Sequence, residues 1–388
     1  MLFNEIIGQE NIKKHLIQSV ENGRVPHAQL FIAPQGSGGL PMAIAYAQYI
    51  LCKNFDGENN TGNHSCNTKC ENLAHPDLHF VFPVAARNKK EKKPVSDMFL
   101  EEWREFVQAS PYGSLFNWYQ GLGIENKQGQ IGVDEAEKIV KKLILKPYEG
   151  GAKVMIIWMA EKMNISASNK LLKLIEEPPE NTVLILITES EEQIINTILS
   201  RCQLLHFKKL SEHDIKNALV RFEDTEENLA AKIALRADGN YNNALHLLHN
   251  DANDLVFEKW FIFWVRAAFK AKGNASVIQD LIGWSDEIAK TGRETQKRFL
   301  QYCMQFFRQA LLLNYKAGEL VFLEPQTENF DINKFAPFIH GANIESISNA
   351  LNDAIYHIER NGNAKIILLD LSINLTRFLH QKEKNADL

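Results

Sequence analysis

Five short apolar runs, separated by helical patterns, occupy the first half of the chain and then cease. They are "AQLFIA" (28–33), "LHFVFPV" (78–84), "AKVMIIWM" (152–159), "TVLILIT" (182–188) and "CQLLHFKKL" (202–210). Between them, "MAIAYAQYILC", "VDEAEKIVKKLIL" and "SASNKLLKLIEEPPENT" read as helices, the last stopped by Pro178-Pro179. Strands alternating with helices predict a parallel α/β sheet covered on both faces. After about residue 208 the strand signal fades and only helical patterns follow. In "LVFEKWFIFWVRAAF", Phe257, Trp260, Phe261 and Trp264 share a face, which reads as core or a subunit interface. The fold class expected is α/β followed by all-α, and 388 residues leave room for two or three domains.

The first strand runs into "FIAPQGSGGL" (31–40) and then a helix, the setting of a phosphate-binding loop. The pattern G-x-x-x-x-G-K-[ST] wraps phosphates in backbone N–H groups and brings a Lys to the terminal ones. Gly36 and Gly38 are in place. Ala33 replaces the first Gly, Gly39 the Lys and Leu40 the hydroxyl residue. The turn of the loop survives without its cation or its magnesium ligand.

Net charge is −5, so a DNA contact would be local or shared with partners. The first residues lack a basic segment and an apolar core, so no signal peptide is expected. No apolar run spans a bilayer, and a cytoplasmic location without a membrane partner follows. The cysteines number five, with Cys52, Cys66 and Cys70 crowded together. That count argues against a disulfide framework and for a possible structural zinc site.

Several landmarks occur in one order: "IIGQE", "GRVPHAQLF", the Gly-rich loop, "LKPYEGGAKVMII", "NKLLKLIEEPPENTVLILIT" and "ILSRCQLLHF". Together they resemble the AAA+ clamp-loader ATPase family of bacterial DNA polymerase III. "IERNGNAKIILLDL" (358–371) is similar to the family's last collar helices. The resemblance implies a nucleotidase-like α/β domain over 1–208, with an insertion about 85–130. It also implies a helical lid over 209–252 and a helical collar over 253–388. The family opens a ring-shaped sliding clamp and places it on primed DNA. Its partners would be gamma/tau-type ATPase subunits, delta subunits, the clamp and primed DNA.

Some members of that family hydrolyse ATP and one does not. The resemblance puts Trp158 and Met159 where paired acids hold magnesium, and Asn242 where a lid arginine senses phosphate. Glu161, two residues further along an extended strand, would be a poor substitute. The chain is therefore expected to need no cofactor and to hold no ATP in its own site. Arg201 in "SRC" matches the arginine that reaches a neighbour's ATP; the plainer possibility is a surface salt bridge. The family's four-cysteine zinc module is incomplete here, and His64 or His75 would have to complete a set with Cys52, Cys66 and Cys70. The aromatic-rich insertion is read as a cover for its own domain, with a partner-binding helix pair as the alternative. Two rival functions are an active gamma/tau-type ATPase and a zinc-stabilised nucleic-acid-binding module.

Overall fold

The structure is a computed structural model. It describes residues 1–52, 64–88, 91, 93–125, 127–149, 151–249, 252–274, 276–318, 321, 325, 327 and 330–381. The chain forms two compact units. The first comprises residues 1–124 and 128–248, the second 125–127 and 249–388.

The first unit is built on five parallel strands: β1 (Ala28–Ile32), β2 (Leu78–Val81), β3 (Lys153–Trp158), β4 (Thr182–Thr188) and β5 (Gln203–His206). Their order is β2-β3-β4-β1-β5. Five apolar runs thus become five strands, with Phe31 beside Ile187 and Trp158 beside Ile187 at the C-terminal edge. Side chains alternate across a strand. Val154, Ile156 and Trp158 join one apolar layer with Val183, Ile185 and Ile187. Met155 and Ile157 join the opposite layer with Leu184 and Leu186.

Helices flank the sheet: α1 (Glu10–Glu21), α2 (Gly39–Leu51), α3 (His64–Glu71), α4 (Leu100–Ala109), α5 (Leu115–Leu122), α6 (Val133–Ile144), α7 (Ile165–Glu176) and α8 (Asn196–Leu199). Local chemistry sets their ends. Asn164 caps α7 by accepting the Ala167 N–H at 2.8 Å. Lys153 donates to the carbonyls of Leu143 and Leu145, satisfying the exposed end of α6. In the polar stretch before β2, α3 forms; residues 53–63 lie outside the described residues.

The insertion folds back on the sheet. Trp103 and Trp118 are almost fully buried, with the Phe82 ring stacked on Trp103 at 4.2 Å. Trp118 Nε1 donates to the Pro83 carbonyl at 2.8 Å. In the charged run that follows β2, Lys93 pairs with Asp134 at 2.7 Å and Arg87 with Glu102 at 2.8 Å; residues 89, 90 and 92 lie outside the described residues.

Three further helices, α9 (Glu212–Phe222), α10 (Glu227–Arg236) and α11 (Tyr241–Leu248), complete the first unit. Ile215, Leu219, Ala230, Ile233 and Tyr241 form their core with Ile7 and Tyr112. The second unit contains α12 (Ala252–Lys270), α13 (Ser276–Ala289), α14 (Arg293–Asn314), α15 (Ile332–Phe335), α16 (Ile344–Glu359) and α17 (Ala364–Phe378). Phe257, Phe261 and Trp264 of α12 are buried in its core, as the aromatic stripe predicts. Trp264 stacks on Trp284 at 5.1 Å and donates to Ser372 Oγ at 2.9 Å. Among the described residues, no helix is long and apolar enough to cross a membrane.

Candidate functional site: a closed phosphate loop and an exposed arginine

The Gly-rich loop joins β1 to α2 at the C-terminal edge of the sheet, where open α/β folds place their ligands. Gly36 has φ +70° and Gly38 φ +98°, left-handed values that favour glycine. The loop is held from several sides. Gln9 Nε2 donates to the Ser37 carbonyl at 3.2 Å, and the Tyr241 N–H donates to the Gly36 carbonyl at 3.2 Å. A Cβ at Gly36 would stand 1.9 Å from Asn240 Oδ1, so the start of α11 sits directly on the loop.

Gly39 fills the Lys position for a packing reason. A Cβ there would lie 2.5 Å from the Ala33 Cβ and 3.2 Å from Ile187. Ala33 itself replaces the first glycine of the pattern. The two departures are therefore coupled: the methyl of one occupies the space the other would need.

The insertion packs close to the loop. Pro111, Tyr112 and Gly113, between α4 and α5 of the insertion, line the same small cavity as Gly36, Gly38, Gly39, Leu40, Trp158 and Met159. That cavity holds only about 30 Å³. A ligand site for a molecule of nucleotide size needs several hundred Å³. Tyr112 is the plug. Its ring carbon Cε1 stands 3.1 Å from the Cβ position of Gly38. Its hydroxyl accepts the Ile7 N–H at 2.8 Å, and its ring meets Tyr241 edge-on at 5.1 Å. Burial pushes both tyrosine hydroxyls well above their usual range, so both stay neutral.

The positions matched to metal-binding acids are apolar and filled. Trp158 packs on Trp103 at 5.2 Å and Phe106 at 5.7 Å, both from the insertion. Met159 is buried with φ +55°, and it turns the chain into a short 3₁₀ segment over Ala160–Lys162. Glu161 is thus not in extended strand, as the sequence reading had it. Burial raises its carboxyl above the usual range, beside Thr188 and the Glu189 backbone. It does not line the small cavity. Asn242, at the sensor position, donates from Nδ2 to Asn117 Oδ1 of α5 at 3.1 Å.

Arg201 lies elsewhere on the first unit, in the turn between α8 and β5, and its side chain is 37% exposed. Nε donates to Glu176 at the end of α7, and Nη1 donates to the Thr197 carbonyl at 2.9 Å. Ser200 Oγ accepts a further bond from Nη1 at 3.3 Å. The guanidinium is held at the surface by one acid and two local acceptors. Adjacent Cys202 has its thiol pushed up to about 11 by burial, which keeps it neutral.

The three crowded cysteines converge. Cys52 and Cys66 form a disulfide, their Cα atoms brought to 5.4 Å where α3 docks beside the end of α2. Cys70 stands free, with its Sγ 3.6 Å from that of Cys52 and its thiol pushed up to about 12 by burial. The three sulfurs lie within 4.8 Å of one another, but no His joins them among the described residues. His75 instead accepts the Asp77 N–H on Nδ1 at 3.1 Å and faces Glu149 at 3.2 Å. Zinc takes four thiolate or imidazole donors. With Cys52 and Cys66 bonded, Cys70 is the one free thiol of the three.

The sequence marks the Gly-rich loop but not what packs on it. "SPYGS" signals only a turn, and nothing in it points to a loop more than seventy residues away. Glu176, in the "EEPP" that ends α7, is the partner of Arg201.

A parallel α/β domain with this altered phosphate loop, helices laid over it and an all-α unit is of the AAA+ class. A family model described as "DNA polymerase III, delta subunit" matches residues 8–211, more than half of the chain. The chain belongs to that family. It is 29% identical over 243 residues to DNA polymerase III subunit delta' of Bacillus subtilis, covering 63% of this chain and 60% of the relative. The delta' subunit of Escherichia coli is 27% identical over 237 residues, covering 61% and 58%. The tau subunit of Bacillus subtilis is 28% identical over 253 residues, covering 63% and 37%. The match thus spans about 60% of the delta' relatives' length.

Proposed function

We propose that this chain is the non-hydrolysing subunit of a DNA polymerase III clamp loader, a cytoplasmic stator in DNA replication. ATP-driven gamma/tau-type subunits would open the sliding clamp against it, with a delta subunit, and place the clamp on primed DNA. The observation that supports this most is the closed phosphate loop. A cavity of about 30 Å³ lined by Tyr112, Trp158 and Met159 supports this reading, because it is small for phosphates and its lining includes no cation. On this reading the chain needs no nucleotide of its own. The all-α second unit is the part proposed to join the ring of subunits.

Arg201 is the residue proposed to act on a neighbour's ATP. A guanidinium is planar, permanently charged and able to fork two bonds to phosphate oxygens. Glu176 would be exchanged for phosphate when the neighbour docks. An exposed ion pair contributes only about 0–1 kcal/mol, so the exchange costs little. Arg201→Ala in a reconstituted loader is expected to lower clamp- and DNA-stimulated ATPase by roughly 10³-fold or more. Unchanged ATPase would remove the finger assignment.

A structural zinc is a subordinate proposal tied to reduction of the Cys52–Cys66 bond, which would free three converging thiols. Metal analysis of reduced protein purified without a His tag decides it: a stoichiometric metal supports it, and a metal-free protein removes it.

A further inference from the structure

We propose that a groove in the second unit binds an acidic peptide segment carrying one aromatic or bulky aliphatic anchor. The groove holds about 470 Å³ and lies between α12, the 330–338 segment and the end of α17. Its floor is apolar, and Phe269 and Phe338 reach its surface at 41% and 37% exposure. Among the described residues, its lining carries Arg266, Lys270 and Lys334 against one acid, Asp331. In a chain of net charge −5, three cations to one acid among the described lining residues reverse the local sign.

The rim charges are available in different degrees. Lys270 and Lys334 are exposed and make no ion pair among the described residues. Asp331 is committed to its own helix start, where its carboxylate accepts the Asn333 N–H at 2.9 Å. The field in the groove therefore favours an anion, and the floor favours an apolar side chain.

The ring geometry selects a peptide over single-stranded nucleic acid. Binding a strand through its bases requires free aromatic faces for stacking. Phe269 already stacks on His380, with centroids 4.9 Å apart and planes 14° apart, and Phe338 meets it edge-on at 4.9 Å. The Arg266 guanidinium lies over the Phe330 ring at 5.7 Å. An inserted phenyl or leucyl group needs only volume and apolar walls. Carboxylates on either side of it would then meet the lysines, a short-range complementarity that sets partner choice.

The test is fluorescence anisotropy on the full chain, with a labelled Asp/Glu-rich peptide bearing one central Phe. Saturable binding is expected, weakening with salt. Lys270→Glu/Lys334→Glu should weaken it about tenfold or more, as should replacing the peptide's Phe by Ala. Lys270→Gln/Lys334→Gln serves as the milder pair should the charge reversal disturb folding, and it should weaken binding in the same direction. Labelled oligo(dT) is the competing probe. Absence of saturable binding, or binding indifferent to both the lysines and the Phe, would overturn the proposal. Tighter binding of oligo(dT) through the same lysines would overturn it too, making the groove a nucleic-acid surface.

Discussion

The loop between β1 and α2 and the turn between α8 and β5 are the two places proposed to matter for a nucleotide, and their surroundings differ in opposite ways. At the first, every charged requirement has been replaced by something that packs: Ala33 against Gly39, Trp158 on Trp103 and Phe106, Tyr112 over Gly38. At the second, Arg201 remains charged, exposed and bound only to groups it can release. Burying apolar surface around the loop stabilises the fold. A charge that serves another molecule cannot be buried without losing that use. The comparison teaches that the first region is now part of the core and the second is still a surface.

The sharpest way to break this contrast is to restore the missing cation. Gly39→Lys places a Cβ 2.5 Å from that of Ala33, and overpacking of this kind costs about 1–3 kcal/mol. The expected result is a lower unfolding temperature for the first unit and no ATP binding by calorimetric titration. Adding Ala33→Gly removes the clash and should return most of the stability. The double variant should still bind no ATP, because Tyr112 and Trp158 keep the space closed. Measurable ATP binding by the double variant would mean that the loop is a nucleotide site lacking only its lysine.

Much of this was legible in the sequence, for reasons that differ by residue. The strands were, because Val154, Ile156 and Trp158 face one apolar layer while Met155 and Ile157 face the other. The departures from the phosphate-loop pattern at Gly39, Leu40, Trp158 and Met159 were, because that pattern needs particular residue types there. The filling was not. Tyr112 reaches Ile7 and Gly38 only after the insertion has folded back on the sheet, and no local pattern encodes that path. The helix α3 was hidden because "HSCNTKCE" buries only Cys66 and Cys70 and has no apolar stripe. The disulfide was hidden with it, since the bond depends on where that helix docks.

A second prediction concerns the carboxyl left next to the closed site. Glu161 has one carboxylate oxygen fully shielded and without a hydrogen-bond partner, and burial raises its pKa in the fold. A carboxyl raised in the folded state contributes most below its unfolded value, near pH 4.3. That contribution is lost as pH rises through the folded value. At neutral pH the ionised form therefore opposes folding. Glu161→Gln keeps the shape and removes the charge, so it should raise the unfolding temperature at pH 7. It should also flatten the part of the stability–pH curve that falls as pH rises from about 4.3. An unchanged curve would place the carboxyl in contact with water.

The smallest effect is expected on the arginine side, and its smallness is informative. Glu176 and Arg201 are both about two-fifths exposed, and pairs of that kind contribute about 0–1 kcal/mol. Glu176→Gln should leave the unfolding temperature within a degree or two. If the acid only holds the guanidinium at rest, the same change in a reconstituted loader should preserve stimulated ATPase or raise it slightly, because Arg201 no longer has to leave a carboxylate. A large loss of ATPase would mean that Glu176 orients the arginine in the working state. A large loss of stability would mean that the pair belongs to the core of the unit, and the contrast between a filled site and a free surface charge would no longer hold.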